Sequence, residues 1–597
     1  MIRSILRPWR AHIAVIALLL LLTQSLDVAP PIIVQKLVDE HFTSGVAGGV
    51  LWLGVLYFAA ILGMRTLNAM ALYLIEVAAQ GALHQLRVRL FSHLQTLPIS
   101  YYDRTPLGDI ISRGTADVET VDTLFSSSIA VLVSSLLGLL TIGVAMGLLS
   151  LPLSIVTALI LPLLVVITQF FRLRVRTAER ANRIATGLMN THLQETLSGI
   201  EVIRAFRREP LFVGRFREAL RQVVAAYNRS TIYTAFYPPL MAVLSACVVS
   251  LLLWLGASGV MAGWGISVGT LAAFVLLFRR FFTVISDLGD EWQTVQSALS
   301  GLERIAQVLA VPSEQLPASA QPLKPDVPQP GIALRAVTFG YAERQAVLHG
   351  VSLNVRPGEH VALVGRTGAG KTSTLHLLAG LYDPWSGTVR VAGRDPRALS
   401  PDERRRMIGV VPQTVQLFSG TVYANLTLGD ATVARAEVEH AAQIAGADEF
   451  IRSLAQGYET LLSGAGRGGG AQLSAGQRQL LALARALVWN PAVLLLDEAT
   501  AAVDNASDTS FRAALRADAG SGQRAVLTVA HRLSTAREAD RVLLMEAGRI
   551  IEEGTPAELI ARGGRFAALI ELEAAGWDWR DTAPQAAAAR ELMVGTP

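Results

Sequence analysis

The chain has 597 residues, 51% of them apolar and 17% charged, with a formal net charge of +4. That length exceeds one compact core, so two or more domains are expected, and so small a net charge gives no general affinity for nucleic acid. A single cysteine, Cys247, excludes any disulfide within the chain and any cysteine-based metal site; its apolar neighbours point to a packing role.

The first predicted element begins behind Arg3, Arg7 and Arg10. A basic start and an apolar run would suit a secretory signal. The apolar character continues through Ile33, however, with no small-residue cleavage site behind it, so a retained transmembrane helix is expected. Six stretches are apolar over the roughly 20 residues that a bilayer requires. They lie near 12–34, 51–75, 127–149, 152–171, 235–261 and 266–288. Ser150 and Leu151 separate the third and fourth, and an uncharged loop around Gly263, Trp264 and Gly265 separates the last two.

Two longer polar, helix-patterned segments intervene, 76–126 and 172–234, and the second carries twelve arginines. Basic residues favour the cytoplasmic side of a membrane. The amino terminus and both long segments are therefore expected in the cytoplasm, and the short loops outside. The arginines alternate with apolar residues and with glutamates such as Glu195 and Glu201, the pattern of solvated helix faces; a nucleic-acid partner is not expected. Within the apolar stretches Arg65, Arg279 and Arg280 stand out, because charge in a bilayer is costly. They line a pathway for acidic or amphipathic cargo, or they are neutralised internally, with Asp27 as partner of Arg65 and the arginine pair snorkelling to the cytoplasmic edge.

Six prolines between Pro312 and Pro330 mark a linker, 311–331. The membrane domain is thus read as 1–310, a cytoplasmic α/β domain as 332–573 and an alanine-rich tail as 574–597. In the cytoplasmic part, Gly365-Arg366-Thr367-Gly368-Ala369-Gly370-Lys371-Thr372 fits G-x-x-x-x-G-K-[ST], a phosphate-binding loop. It follows the strand-like run His360–Val364 and opens a helix-like run from Ser373. Lys371 is one of only three lysines in the chain. Backbone amides of the loop and the helix start can converge on a triphosphate. Lys371 would meet the β- and γ-phosphates and Thr372 the Mg²⁺ ion. Asp497 and Glu498 end a second buried-strand pattern beginning at Ala492. Asp497 suits a water-mediated Mg²⁺ contact, and Glu498 a general base for the attacking water.

With Leu473-Ser474-Ala475-Gly476-Gln477 following on the same chain, the region resembles the ATP-binding cassette (ABC) nucleotidases, and six spans ahead of it resemble the exporter type, including multidrug and lipid-A transporters. The resemblance implies an all-α six-helix transmembrane domain followed by an α/β P-loop domain with a RecA-like core and an α-helical subdomain. By that likeness Tyr341 stacks on adenine, Gln413 matches the Q-loop that senses Mg²⁺, Asp504 the D-loop and His531 the switch histidine on the γ-phosphate. Ser474, Gly476 and Gln477 match the signature, which binds ATP across a dimer interface. Tyr101–Asp109 and Glu195–Phe206 match two coupling elements.

Two departures bear on assembly. Ala475 replaces the first glycine of the signature, and the glycine-rich segment Ser463–Gly470 lacks the glutamate that exporters carry there. This asymmetry favours a heterodimer with a second half-transporter; a homodimer stays open. The expected function is ATP-driven movement of hydrophobic or amphipathic cargo, such as drugs or lipids, across a bacterial cytoplasmic (inner) membrane, with membrane lipid as surroundings. A siderophore-type importer of the same architecture and a membrane-anchored ATPase regulator are the alternatives.

Overall fold

A computed structural model describes residues 7–574 apart from 44, 46–47, 160, 258–265, 315–330, 464–469, 498–523 and 531. The chain forms two compact units, Met1–Gln95 with Leu107–Pro312, and Thr96–Pro106 with Ser313–Pro597.

The first unit is helical. Among the described residues five helices are long and apolar enough to cross a membrane: Arg7–Phe42, Val50–Gln95, Leu107–Leu149, Glu209–Gly256 and Val268–Ile285. The remaining apolar stretch, near 152–171, contains residue 160, which lies outside the described residues. Large apolar side chains such as Leu51, Trp52 and Phe58 face outward, the reverse of a water-soluble surface and suited to hydrocarbon. Breaks fall where the sequence dictates. Helix Arg10–Asp27 gives way to Ala29–Lys36 at Pro30 and Pro31, which lack an N–H but fit a first helical turn. Ser150 is extended between helices Ile129–Leu149 and Leu151–Ala158, with Pro152 again in the first turn. By contrast, Pro238 and Pro239 stay inside helix Glu209–Ala257.

Polar contacts tie the first apolar helices to the last. Asp39 accepts from Ser267 Oγ at 2.5 Å and from the Gly269 amide at 2.8 Å, at the start of helix Val268–Ala310. Gln35 donates to Thr270 Oγ1 at 3.0 Å. The partner of Asp27 is Arg280, whose Nε donates to it at 2.7 Å; the pairing expected with Arg65 is corrected, because the first and last apolar helices pack so as to bring Arg280 to this carboxylate. Near the other end of helix Val268–Ala310, Arg304 donates from Nε to the buried Asp117 at 3.0 Å. Cys247 is exposed on its helix, so the packing role expected for it is also corrected: the face it occupies points away from the unit's core.

The second unit is α/β. A three-stranded antiparallel sheet, in order β2–β1–β4, is built from β1 (Ile332–Phe339), β2 (Leu348–Val355) and β4 (Ser386–Val391). The main sheet runs β11–β10–β3–β9–β8–β5, from β3 (His360–Gly365), β5 (Ile408–Val411), β8 (Val493–Asp497), β9 (Ala525–Val529), β10 (Arg541–Glu546) and β11 (Arg549–Gly554). All its pairings are parallel except β10 with β11. Strands β8 and β9 are buried throughout because both faces are covered, which is why they read as unbroken apolar runs. Between β5 and β8 lie a two-stranded antiparallel sheet of β6 (Gly420–Thr421) and β7 (Leu461–Leu462) and a set of helices held by a separate core of Val422, Leu426, Val438, Ile451, Tyr458 and Leu481. The fold class is thus the one the sequence implies: membrane-spanning helices followed by an α/β domain with its own helical subdomain.

Candidate nucleotide site

The site grows from the carboxyl ends of the parallel strands, where open α/β sheets bind their ligands. β3 ends at Gly365, and helix Lys371–Leu378 starts six residues later. Between them Gly368 and Gly370 hold φ of +81° and +104°, backbone that favours glycine. A methyl group on Gly365 would meet the Met545 carbonyl oxygen at 2.2 Å, so this strand end tolerates no side chain. The Gly548 amide donates to the Ala369 carbonyl at 3.1 Å and pins the loop to the β10–β11 turn. Arg366 and Thr367 stand at the loop's outer edge, Thr367 exposed.

Lys371 is buried. Its Nζ donates to the carbonyls of Gly365 at 2.7 Å and Arg366 at 3.0 Å. The ammonium is therefore folded back over its own loop and fixes a positive charge there. Asp497 ends β8 and is buried. It accepts from Thr372 Oγ1 at 3.4 Å. Burial pushes its carboxyl above the usual range; the His376 ring, the Thr372 hydroxyl and the Lys371 charge oppose that shift. A buried carboxylate beside a threonine hydroxyl is a pair of oxygen donors that fits a divalent cation. Among the described residues no group of three or more His, Cys, Asp and Glu side chains could hold a metal.

Gln413 is exposed two residues beyond β5, the strand paired with β8. Ser474 caps helix Ala475–Leu487 in a capping box: its Oγ accepts from the Gln477 amide at 3.1 Å, and Gln477 Oε1 accepts from the Ser474 amide at 2.9 Å. Gly476 is buried behind this cap and Ala475 opens the helix. Glu498, Asp504 and His531 lie outside the described residues.

Tyr341 is 38% exposed, with its hydroxyl donating to Ser373 Oγ at 3.1 Å. Its hydroxyl also lies 3.1 Å from His376 Nδ1. The ring meets Phe339 and Tyr382 edge to face, at centroid distances of 5.0 and 5.2 Å. Burial raises the Tyr341 phenol and lowers the His376 ring from their usual values. Sequence reasoning passed over His376 and Tyr382. One signal was available: Tyr382 sits in Leu381-Tyr382-Asp383-Pro384, an aromatic directly behind the helix that the phosphate loop opens.

Comparison with known proteins agrees with this geometry. Residues 13–285 match the family model of the ABC transporter transmembrane region, and residues 348–501 that of the ABC transporter. The chain is 33% identical to the ABC transporter ATP-binding protein YknV of Bacillus subtilis, over 87% of this chain and 83% of that protein. It is 32% identical to the fatty acid ABC transporter ATP-binding/permease protein of Mycobacterium tuberculosis, over 83% of this chain and 76% of that protein. Among solved structures, a bacterial Atm1-family ABC exporter with ATP bound matches with a TM-score of 0.77 and 26% identity, covering 95% of this chain and 98% of that one. The chain therefore belongs to the ABC transporters, as an exporter-type transporter whose cassette domain binds ATP and couples its hydrolysis to transport across a membrane.

Proposed function

We propose that this protein moves hydrophobic or amphipathic cargo out of the cytoplasm, or between bilayer leaflets, in a bacterial inner membrane. The carrying observation is the approach of Thr372 to Asp497 beside the buried Lys371. The fatty-acid designation of a relative at 32% identity supports the cargo class.

Mg²⁺, when bound, supplies the charge that draws electron density from the transferring phosphate. Around it Thr372, Asp497 and Gln413 would form the ligand set, Asp497 through water. Lys371 and the amides from Gly365 to Ser373 hold the phosphates. Tyr341 presents a half-open ring to adenine. Glu498 removes the proton of the attacking water, and His531 senses the terminal phosphate. Ser474, Gly476 and Gln477, on one chain, close the site of another, so two half-transporters are needed. The substitution at Ala475 favours a heterodimer. The basic amino terminus and the cassette domain are cytoplasmic, following the arginine distribution.

The test is ATP-dependent accumulation of a fluorescent amphiphile in inverted vesicles holding the chain together with each candidate partner. Accumulation that vanishes in Lys371→Ala and Glu498→Gln is the expected outcome. ATP turnover without accumulation of any amphiphile, or turnover that survives Glu498→Gln, overturns the reading.

A further inference from the structure

The short helix Ile99–Arg104 belongs to the same compact unit as the nucleotide site, and it grips both aromatic residues there. The Tyr382 hydroxyl donates to the Asp103 carboxylate. Arg104 Nη2 donates to the Tyr341 carbonyl at 3.3 Å. One residue of this helix thus holds a side chain of the cluster and the next holds its main chain.

The interior of the cluster is continuous. The His376 and Tyr382 rings are stacked, 5.8 Å between centroids and 28° between planes. Tyr341 stands at 89° to Tyr382. A phenol has one proton. Since Tyr341 gives it to Ser373 Oγ, the contact with His376 requires a proton on Nδ1. The donors then run in one direction, from Nδ1–H to the Tyr341 oxygen and from there to Ser373.

We propose that His376 and Tyr382 are positioning residues that join Ser373 and Tyr341 to Asp103, so that nucleotide on Tyr341 fixes the short helix Ile99–Arg104. The proposal rests on the reading of Tyr341 as the adenine platform. Stacking of a base on Tyr341 sets the tilt of its ring. The tilt sets the edge that Tyr341 offers to Tyr382, and Tyr382 carries it to Asp103.

The experiment uses the full chain in phospholipid nanodiscs, with two readouts: the Kd for Mg-ATP and the amide hydrogen exchange of residues 99–104 with and without Mg-ATP. In the unaltered protein, Mg-ATP slows exchange over this segment. Tyr382→Phe keeps the ring stack and removes the donor to Asp103. It is expected to bind Mg-ATP within about twofold of the unaltered protein, as expected for a change that leaves the base-stacking ring in place, yet to lose the nucleotide-dependent protection. Asp103→Asn keeps an acceptor oxygen and retains the protection, whereas Asp103→Leu loses it. Full protection in Tyr382→Phe, or no nucleotide-dependent change in the unaltered protein, overturns the relay. Tyr341→Ala tests the underlying reading separately: it is expected to weaken Mg-ATP binding by about tenfold. Unchanged affinity there removes the adenine platform itself, whatever the exchange data show.

Discussion

Asp27 and Arg280, 253 residues apart in sequence, meet at 2.7 Å between the first and the last of the apolar helices. The Asp27 side chain is 13% exposed and the Arg280 side chain 50%. Removing one partner leaves the other charged in apolar surroundings, whereas neutralising both does not. Asp27→Asn and Arg280→Gln should each lower stability, by about 1–3 kcal/mol. The double variant should recover part of the loss. Thermal unfolding in one detergent, read as a double-mutant cycle, measures the difference; simple additivity would mean that the pair is not coupled.

At the nucleotide site, proton and metal compete for Asp497. Its carboxyl is raised by burial, so the folded protein binds this proton more tightly than the unfolded chain. Stability of the ligand-free protein therefore falls as pH rises from the ordinary aspartate value through the raised one, and is then constant. Mg²⁺ binding has the opposite sense. Below the raised value its affinity should weaken by roughly tenfold per pH unit. Titrating Mg²⁺ into the ATP-loaded protein across acidic pH checks this. Asp497→Asn should abolish the pH dependence along with most of the affinity.

Two glycines of the phosphate loop should respond differently to alanine. At Gly365 the added methyl meets backbone, the Met545 carbonyl, and something in the sheet must shift. Gly365→Ala should cost about 1–3 kcal/mol of domain stability. At Gly370 the nearest atom is the far end of the Leu348 side chain, 2.6 Å away, but φ is +104°. Gly370→Ala should cost about 1–2 kcal/mol through backbone strain and weaken ATP binding more than it lowers the melting temperature. Nucleotide titration beside thermal unfolding separates the two.

The cap at Ser474 permits a similar separation. Glycine replaces serine as an amino-terminal cap at a cost of only a few tenths of a kcal/mol, against about 1 kcal/mol for alanine. If the Ser474 hydroxyl also serves a neighbouring chain's nucleotide, Ser474→Gly should lose most ATP turnover with little change in melting temperature. Turnover close to that of the unaltered protein would confine Ser474 to capping.

Much of this architecture is legible in the chain itself. The phosphate loop announces its strand and helix, and Asp497 ends an apolar run that is indeed a buried strand. Such signals are local, since each depends on residues within one turn or one strand. The partner of Asp27 was not legible, because hydropathy places a residue in a span without fixing the rotation of that span against its neighbours. His376 and Tyr382 were hidden for a related reason. Which face of helix Lys371–Leu378 meets Tyr341 is decided by the antiparallel strand that delivers Tyr341, and no spacing within the motif encodes it. The Ser474 cap was half legible: serine followed three residues later by glutamine is a capping box, but the same residues also fit the signature.

One consequence concerns any attempt to study the cassette alone. Its compact unit begins with Thr96–Pro106, before the last apolar helices have been made, and resumes at Ser313. The Glu314 amide donates to the Thr96 carbonyl at 2.7 Å, so the first stretch is fastened at the point where the second begins. A protein severed before Ser313 would leave part of its own framework behind, and the Tyr382 phenol would surrender its carboxylate to water. Soluble fragments should therefore report faithfully on phosphate binding while misreporting the aromatic side of the pocket, unless a peptide spanning 96–106 is added back.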